Sequence, residues 1–445
     1  MQDTNSDTET GNLVIATVRD FVAREVRPVA AAYDHDDTYP EALIDRMKEL
    51  GLFGLTIPER FGGAGVSPCV YANVIEELAL GWMSLTGALN THLLLALMIQ
   101  ESGTDEQRER LLPLMADGSL RGVLCITEPD AGTDVQAIQT RAVDDGDHYV
   151  ISGSKMFVTN GRHGDLYGVV CKTNPDAEPA YTGISLMLAQ KGPGLTVVRD
   201  IPKLGYRGIE TTELSFDGLR VPKTDLLGAI EGQGFRHVMR GLELGRVNVA
   251  ARAVGVARAA LQDSIRYAQQ RQTFGKSIAE HQAIQELLAD MATDVQAAHL
   301  LVANAAAKME RGERADLEAG MAKLFASEAC LRVATNAMRI HGGVGYTQDL
   351  PIERYFRDAP LMIIGEGTSE IQRQVIARRL ISEYPDGDFL RDSGVLAAQV
   401  LLEEVHRPWE GVLCRSLVVA AARVAEEAVA CTRVGVALVV LALGL

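Results

Sequence analysis

Glu366 is the residue of this chain whose setting best suits it to act as a base. It lies in Ile363-Ile-Gly-Glu-Gly-Thr-Ser-Glu-Ile-Gln-Arg373, shortly after His341-Gly-Gly-Val-Gly-Tyr346. A carboxylate between a glycine-rich turn and a Gly-Thr-Ser helix start sits on backbone that can approach a flat cofactor closely. Few bulky neighbours fill the space where a substrate would lie. This setting suits removal of a proton from a carbon acid during an oxidation. The competing account is a helix N-terminal acid favoured by the macrodipole.

Such a group needs a large scaffold to hold it, and the chain is long enough to build one. Its 445 residues suggest two or three domains. Apolar content of 47% and charged content of 23% are those of a soluble globular protein. A formal charge of −16 argues against a nucleic-acid binder, which needs a basic face. The six cysteines are scattered, with no Cys-x-x-Cys and no histidines nearby, so reduced, packed thiols are expected rather than disulfides or a metal site. Met1 to Asn12 is polar and acidic, unlike a secretory signal, and a cytoplasmic location is expected.

Compositional shifts divide the chain into residues 1–121, 122–234, 235–384 and 385–445. The first part reads as helical, with a long Leu/Ala-rich stretch from Glu76 to Ile99 and a loop at Ile57-Pro-Glu-Arg-Phe-Gly-Gly-Ala-Gly65. The second has short alternating runs at 149–151, 166–171, 184–188, 195–198 and 212–216. In the last, Leu214 and Phe216 share a face, as a mostly antiparallel β-domain requires. In the third, Ile284, Leu287, Leu288, Met291, Val295 and Leu301 recur at helical spacing. The expected fold class is α+β, mainly α, with the helical parts packed together and the β-domain set against them. The tail ends in a twelve-residue apolar run, Val434 to Leu445, short of the roughly 20 residues of a membrane span. A buried or partner-covered helix is preferred there over membrane association.

Several segments, in order and in register over about residues 12–382, resemble the acyl-CoA dehydrogenase family of flavoproteins. They are Ile57 to Gly65, Cys125-Ile-Thr-Glu-Pro-Asp-Ala-Gly-Thr-Asp134, Gly153-Ser-Lys-Met-Phe-Val-Thr-Asn-Gly161, Arg271-Gln-Thr-Phe-Gly275, Glu280-His-Gln-Ala-Ile-Gln285, Leu288-Ala-Asp-Met291, and the two segments around His341 and Glu366. The resemblance implies an N-terminal helical domain, a middle β-domain and a C-terminal four-helix bundle. It also implies FAD between the β-domain and the C-terminal helices.

By the same resemblance, Leu124, Ile126, Thr127, Thr133, Phe157 and Thr159 line the flavin, with Phe157 in place of the family's usual tryptophan. Taken alone, that segment reads as a strand and turn with a buried Phe. Arg271, Phe274 and Gln282 are implied to meet the diphosphate and adenosine half of FAD from a neighbouring subunit, a task suited to a guanidinium fork. Gly342 and Gly343 are implied beside the adenosine side. Arg339 departs from the family's common glutamine, and Thr368 and Glu370 complete the implied cofactor set. His281 also reads as a plain surface histidine.

For the substrate, the resemblance implicates Thr133, Glu243, Arg246, Gly365 and Gly367; Arg246 reads equally as a structural ion-pair partner. Some relatives carry the catalytic glutamate immediately before this arginine. Here that position is Gly245, which leaves Glu366 as the base. The implied reaction is α,β-dehydrogenation of an acyl-CoA to the trans-2-enoyl-CoA. Hydride passes to flavin N5 and electrons leave through an electron-transfer flavoprotein or similar acceptor, in a homodimer or homotetramer. Gly365 stands where many straight-chain relatives have tyrosine, which leaves room for a branched or bulky acyl group. The alternatives are a flavin oxidase of the same superfamily and a flavin-binding scaffold with little catalysis. No metal, nucleic acid or membrane span is expected.

Overall fold

The computed structural model describes residues 3–387 and Phe389. Residues through Ala377 form one compact unit. The expected tail helix lies outside the described residues.

The N-terminal part is helical: α1 (Asp3–Phe21), α2 (Ala30–Asp36), α3 (Glu41–Glu49), α4 (Pro68–Ser102) and α5 (Asp105–Ala116). Ser67 caps α4 through its side chain, with Pro68 as the first helical residue, where a missing N–H costs nothing. A break at Trp82 divides α4. This helix is long and apolar enough to cross a bilayer, but 89% of its most apolar window is buried inside the fold, where it serves as the central core helix.

A seven-stranded sheet follows, made of β1 (Gly122–Cys125), β2 (Arg141–Asp145), β3 (His148–Thr159), β4 (Leu166–Lys172), β5 (Ile184–Gln190), β6 (Leu195–Asp200) and β7 (Thr211–Pro222). The order is β1-β4-β2-β3-β7-β6, with β5 also on β4. Pairing is antiparallel except for β1 and β2 on β4. On β7, Leu214 and Phe216 are buried while Glu213 and Ser215 lie on the other, less buried face, so the expected alternation is present. The sheet has a core of its own, including Tyr149, Ile151, Tyr167, Val169 and Phe216. Leu166, Val170 and Leu186 join the helical core instead.

The rest is helical again: α6 (Gly234–Gln270), a small hairpin β8 (Gln272–Thr273) and β9 (Lys276–Ser277), then α7 (Gln282–Glu310), α8 (Asp316–His341), α9 (Ile352–Ile364) and α10 (Ser369–Glu383). The α7 stripe faces inward as its spacing requires, with Met291 and Val295 buried and Ile284, Leu287, Leu288 and Leu301 against the core. Helices α4 and α6 run against each other at close range. A Cβ on Gly255 would lie 2.3 Å from the Glu76 carbonyl, so only glycine lets the backbones approach this far.

Candidate active site

Glu366 sits in the turn between α9 and α10, and the turn's shape depends on two adjacent left-handed residues. Glu366 has φ +51° and Gly367 φ +90°. The second needs glycine, and a side chain there would also strike the buried Gln372 Nε2 at 2.6 Å. The first is a strained conformation for glutamate, of the kind that persists only where its surroundings enforce it. Those surroundings are Lys323 and Gln372. Lys323 of α8 is fully buried, and its Nζ donates to the carbonyls of Ile363 (3.1 Å) and Gly367 (2.7 Å). Gln372 Nε2 donates to the carbonyls of Glu366 (3.4 Å) and Gly367 (3.2 Å), and Thr368 Oγ1 accepts from Ile371 N at 3.4 Å. Burial pushes Lys323 down to about 8, against the attraction of Glu366.

The carboxylate itself is wedged between α4 and α6. Oε1 accepts from Asn90 Nδ2 of α4, and Oε2 is buried with no hydrogen-bond partner. A Cβ on Gly245 of α6 would lie 1.9 Å from Oε2 and 3.4 Å from Leu94 Cδ1. Burial raises the Glu366 pKa above the ordinary carboxylate range. Arg252, the Asn90 hydrogen bond, Lys323 and Arg246 each pull it back. Arg252 Nε donates to Asn248 Oδ1, Asn248 Nδ2 donates to the Tyr71 hydroxyl (each 2.6 Å), and the guanidinium lies 5.9 Å from the Tyr206 ring centroid.

Flanking Gly245 on α6, Glu243 Oε1 and Arg246 Nε are buried and unbonded. Burial lowers the Arg246 pKa and raises that of Glu243. Arg246 makes no ion pair within 4 Å among the described residues, so the structural ion-pair account of this residue finds no partner.

Across the sheet, the segment after β1 is locked to β3. Lys155, fully buried on β3, donates to the Ile126 carbonyl and to Glu128 Oε1, each at 2.8 Å. Glu128 also accepts from the Gln139 (2.5 Å) and Thr140 (3.0 Å) amides. Burial works against its ionisation, but Lys155 and these donors hold it ionised at lower pH than usual. Met156 N donates to the Thr127 carbonyl at 2.8 Å, which sets the Ile126–Thr127 segment against the end of β3. Phe157 is 60% exposed at φ +56°, rather than buried as the segment alone suggests. Leu124 is buried, Ile126, Thr127 and Thr159 half-buried, and Thr133 exposed. Asn160 Nδ2 reaches the carbonyls of Gly87 (3.2 Å) and Ala88 (3.4 Å), tying the end of this strand to α4 beside Asn90.

The remaining sequence-derived residues lie at the surface of the single chain. Arg271, Phe274 (97% exposed), Gln282, Arg339, Gly342, Gly343 and Glu370 are all exposed. Phe274 stacks edge-on against His281, which bonds Thr273 at 2.9 Å; Arg339 bonds Asn336 at 2.9 Å. Tyr267, near the end of α6, stacks on His341 with centroids 4.3 Å apart, which sets the glycine turn beside the end of α6 from which Arg271 continues. Among the described residues, no hydrogen bond or ion pair joins the side chains of Arg271, Phe274, Gln282 or Arg339 to Glu366.

The acyl-CoA dehydrogenase N-terminal domain family matches residues 8–119, the middle domain 123–219 and the C-terminal domain 232–381. The chain belongs to the acyl-CoA dehydrogenase family. An acyl-CoA dehydrogenase of Bacillus subtilis (strain 168) is 41% identical over 82% of this chain and 96% of its own. A cyclohexane-1-carbonyl-CoA dehydrogenase of Geobacter metallireducens is 38% identical over 83% and 97%. The solved butyryl-CoA dehydrogenase of Megasphaera elsdenii superposes with a TM-score of 0.81 at 36% identity, covering 84% of this chain and 98% of that one. This acyl-CoA dehydrogenase is therefore an FAD-dependent oxidoreductase acting on CH–CH bonds. The residues present fit that cofactor. Phe157 is 60% exposed, Thr127 and Thr159 are half-buried on the two segments that pair there, and a Cβ at Gly342 or Gly343 would meet nothing within 4 Å.

Asn90 and Lys323 are the functional candidates that sequence reasoning missed. Each is a polar residue among buried apolar neighbours, Asn90 beside Leu89 and Lys323 beside Ala322, and helical spacing alone does not distinguish either from the other buried polar residues of its helix.

Proposed function

We propose that this acyl-CoA dehydrogenase oxidises acyl-CoA thioesters with a branched, cyclic or otherwise bulky acyl group, with Glu366 as the base. The observation that carries the base assignment is Glu366 Oε2: an enclosed carboxylate oxygen, without a hydrogen-bond partner, held in the wedge between α4 and α6. Such an oxygen is a proton acceptor whose basicity water does not quench. The α-proton of the thioester goes to it. The Glu366 backbone N–H would donate to the thioester carbonyl and stabilise the enolate charge as it develops. Bound FAD supplies the two-electron acceptor that takes the β-hydrogen as hydride, which leaves the trans-2-enoyl thioester. Ile126, Thr127, Phe157 and Thr159 hold the flavin ring. Thr368 and Glu370, at the start of α10, would complete the flavin site, and Arg271, Phe274, Gln282, Gly342 and Gly343 would hold the diphosphate and adenosine of a partner subunit's FAD.

Room for bulk comes from Gly365. A Cβ there would have only Leu361 within reach, its carbonyl at 3.2 Å and Cδ1 at 3.9 Å. The relative named for cyclohexane-1-carbonyl-CoA supports the same reading. Electrons leave to an electron-transfer flavoprotein or a similar acceptor. The test is anaerobic bleaching of the FAD-loaded enzyme by cyclohexane-1-carbonyl-CoA, isobutyryl-CoA and butyryl-CoA, followed by turnover with an electron-transfer flavoprotein. The cyclic and branched thioesters should bleach the flavin at least as fast as butyryl-CoA. Bleaching by butyryl-CoA alone would overturn the substrate class, and one peroxide per turnover in air would overturn the acceptor.

A further inference from the structure

We propose that Asn90 is a positioning residue for Glu366, holding its carboxylate in one orientation and favouring its ionised form; this rests on Glu366 being the base. Asn90 is 4% exposed and lies in the stretch Gly87-Ala-Leu-Asn-Thr-His-Leu-Leu-Leu95 of α4, whose leucines are all buried. An amide in such surroundings is expensive unless bonded, and its Nδ2 is bonded to Glu366 Oε1. Its Oδ1 is buried and unbonded.

Among the described residues, no other group hydrogen-bonds the Glu366 side chain. Arg252 and Arg246 of α6 and Lys323 of α8 attract it through space, and Tyr71 on α4 and Tyr206, whose pKa values burial raises, feel its charge as a smaller added rise. Glu370, the acid nearest along its own segment, is exposed and bonded locally. None of these donates a hydrogen bond to the Glu366 side chain. Through-space attraction favours charge but fixes no orientation, whereas a hydrogen bond does both. Asn90 is therefore the group that fixes which way the carboxylate faces.

An amide also suits both states of the base. Nδ2 donates to the carboxylate before proton transfer. A turned amide presents Oδ1 to the O–H of the neutral acid afterwards. Neither leucine nor aspartate can do the first. Leucine has no N–H to donate, and aspartate of the same shape places a second negative charge beside Glu366, which disfavours its ionisation further.

The experiment is the pH dependence of flavin bleaching by substrate in FAD-loaded wild type, Asn90→Leu and Asn90→Asp, with Glu366→Gln alongside. Catalysis needs the ionised base, so the rate rises with pH through the pKa of Glu366. The inference expects that rise to move to higher pH by about 1–2 units in Asn90→Leu. It should move further still in Asn90→Asp, which is isosteric and guards against misfolding of the leucine variant. FAD content should stay at wild-type level. Profiles that coincide with wild type, or coincide with each other, would overturn the role of Asn90 while Glu366→Gln stays inactive. Bleaching of Glu366→Gln at the wild-type rate would instead overturn the base itself.

Discussion

The carboxylate of Glu366 stands where the side chain of residue 245 would otherwise be. A Cβ on Gly245 would lie 1.9 Å from Glu366 Oε2 and 3.0 Å from its Cδ. A base on the turn before α10 and a side chain at this point of α6 therefore exclude each other. Gly245→Ala should displace the carboxylate by about the radius of a methyl group. Misplacement of roughly 1 Å costs on the order of 100-fold in rate, so flavin reduction should fall by about that much with FAD still bound. Stopped-flow reduction with a saturating acyl-CoA checks it, and an unchanged rate would show that the carboxylate works from another position.

Lys323 fixes the same turn from the opposite side through the Ile363 and Gly367 carbonyls. Lys323→Met keeps the bulk of the side chain but removes both bonds and the cation. The turn should loosen and flavin reduction should fall at least tenfold, on the order of a lost charged hydrogen bond. The cation favours ionised Glu366, so its removal raises that pKa further. The acidic limb of the pH profile should therefore shift to higher pH, an effect that loosening alone does not produce. A profile reduced in height but unmoved would assign Lys323 to structure only.

The buried Lys155–Glu128 pair joins the segment after β1 to β3. Removing one partner of a buried pair leaves the other charge uncompensated, at about 3–5 kcal/mol. Lys155→Met should lower stability by that order in denaturant unfolding. It should also weaken retention of FAD, because the Ile126 carbonyl loses its donor. Full FAD content after gel filtration would separate this pair from the flavin site.

Gly365 has φ −70° and ψ 147°, a conformation open to any residue. Gly365→Tyr should therefore fold, fill the space beside Glu366, and lower kcat/KM for cyclic and branched thioesters at least tenfold relative to butyryl-CoA. An unchanged ratio would mean that other residues set the acyl selectivity.

Much of this arrangement was legible in the sequence because it is local. Glu366, Gly367 and Thr368 are contiguous, and the strands of the β-domain announce themselves by alternation, as Leu214 and Phe216 do. Gly245 was legible through its place before Arg246. Asn90 and Lys323 were not, because helical periodicity assigns both to core faces and says nothing of what those faces meet. Asn90 lies 276 residues from Glu366 and Lys323 lies 44 from Gly367, and only tertiary packing brings each pair together. Phe157 was misread by the same rule taken alone: an aromatic at the end of a strand suggests burial, yet its left-handed backbone turns it outward. Arg271 and Phe274 lie exposed on the single chain, and their proposed ligand is a partner subunit's FAD.

The central claim is that Glu366 takes the α-proton. Its most direct test is anaerobic mixing of FAD-loaded Glu366→Gln with an acyl-CoA that bleaches the wild type. Glutamine keeps the size and the hydrogen bonding of the side chain but cannot accept the proton, so FAD should remain bound and bleaching should slow by roughly a thousandfold or more. Bleaching at the wild-type rate would contradict the assignment.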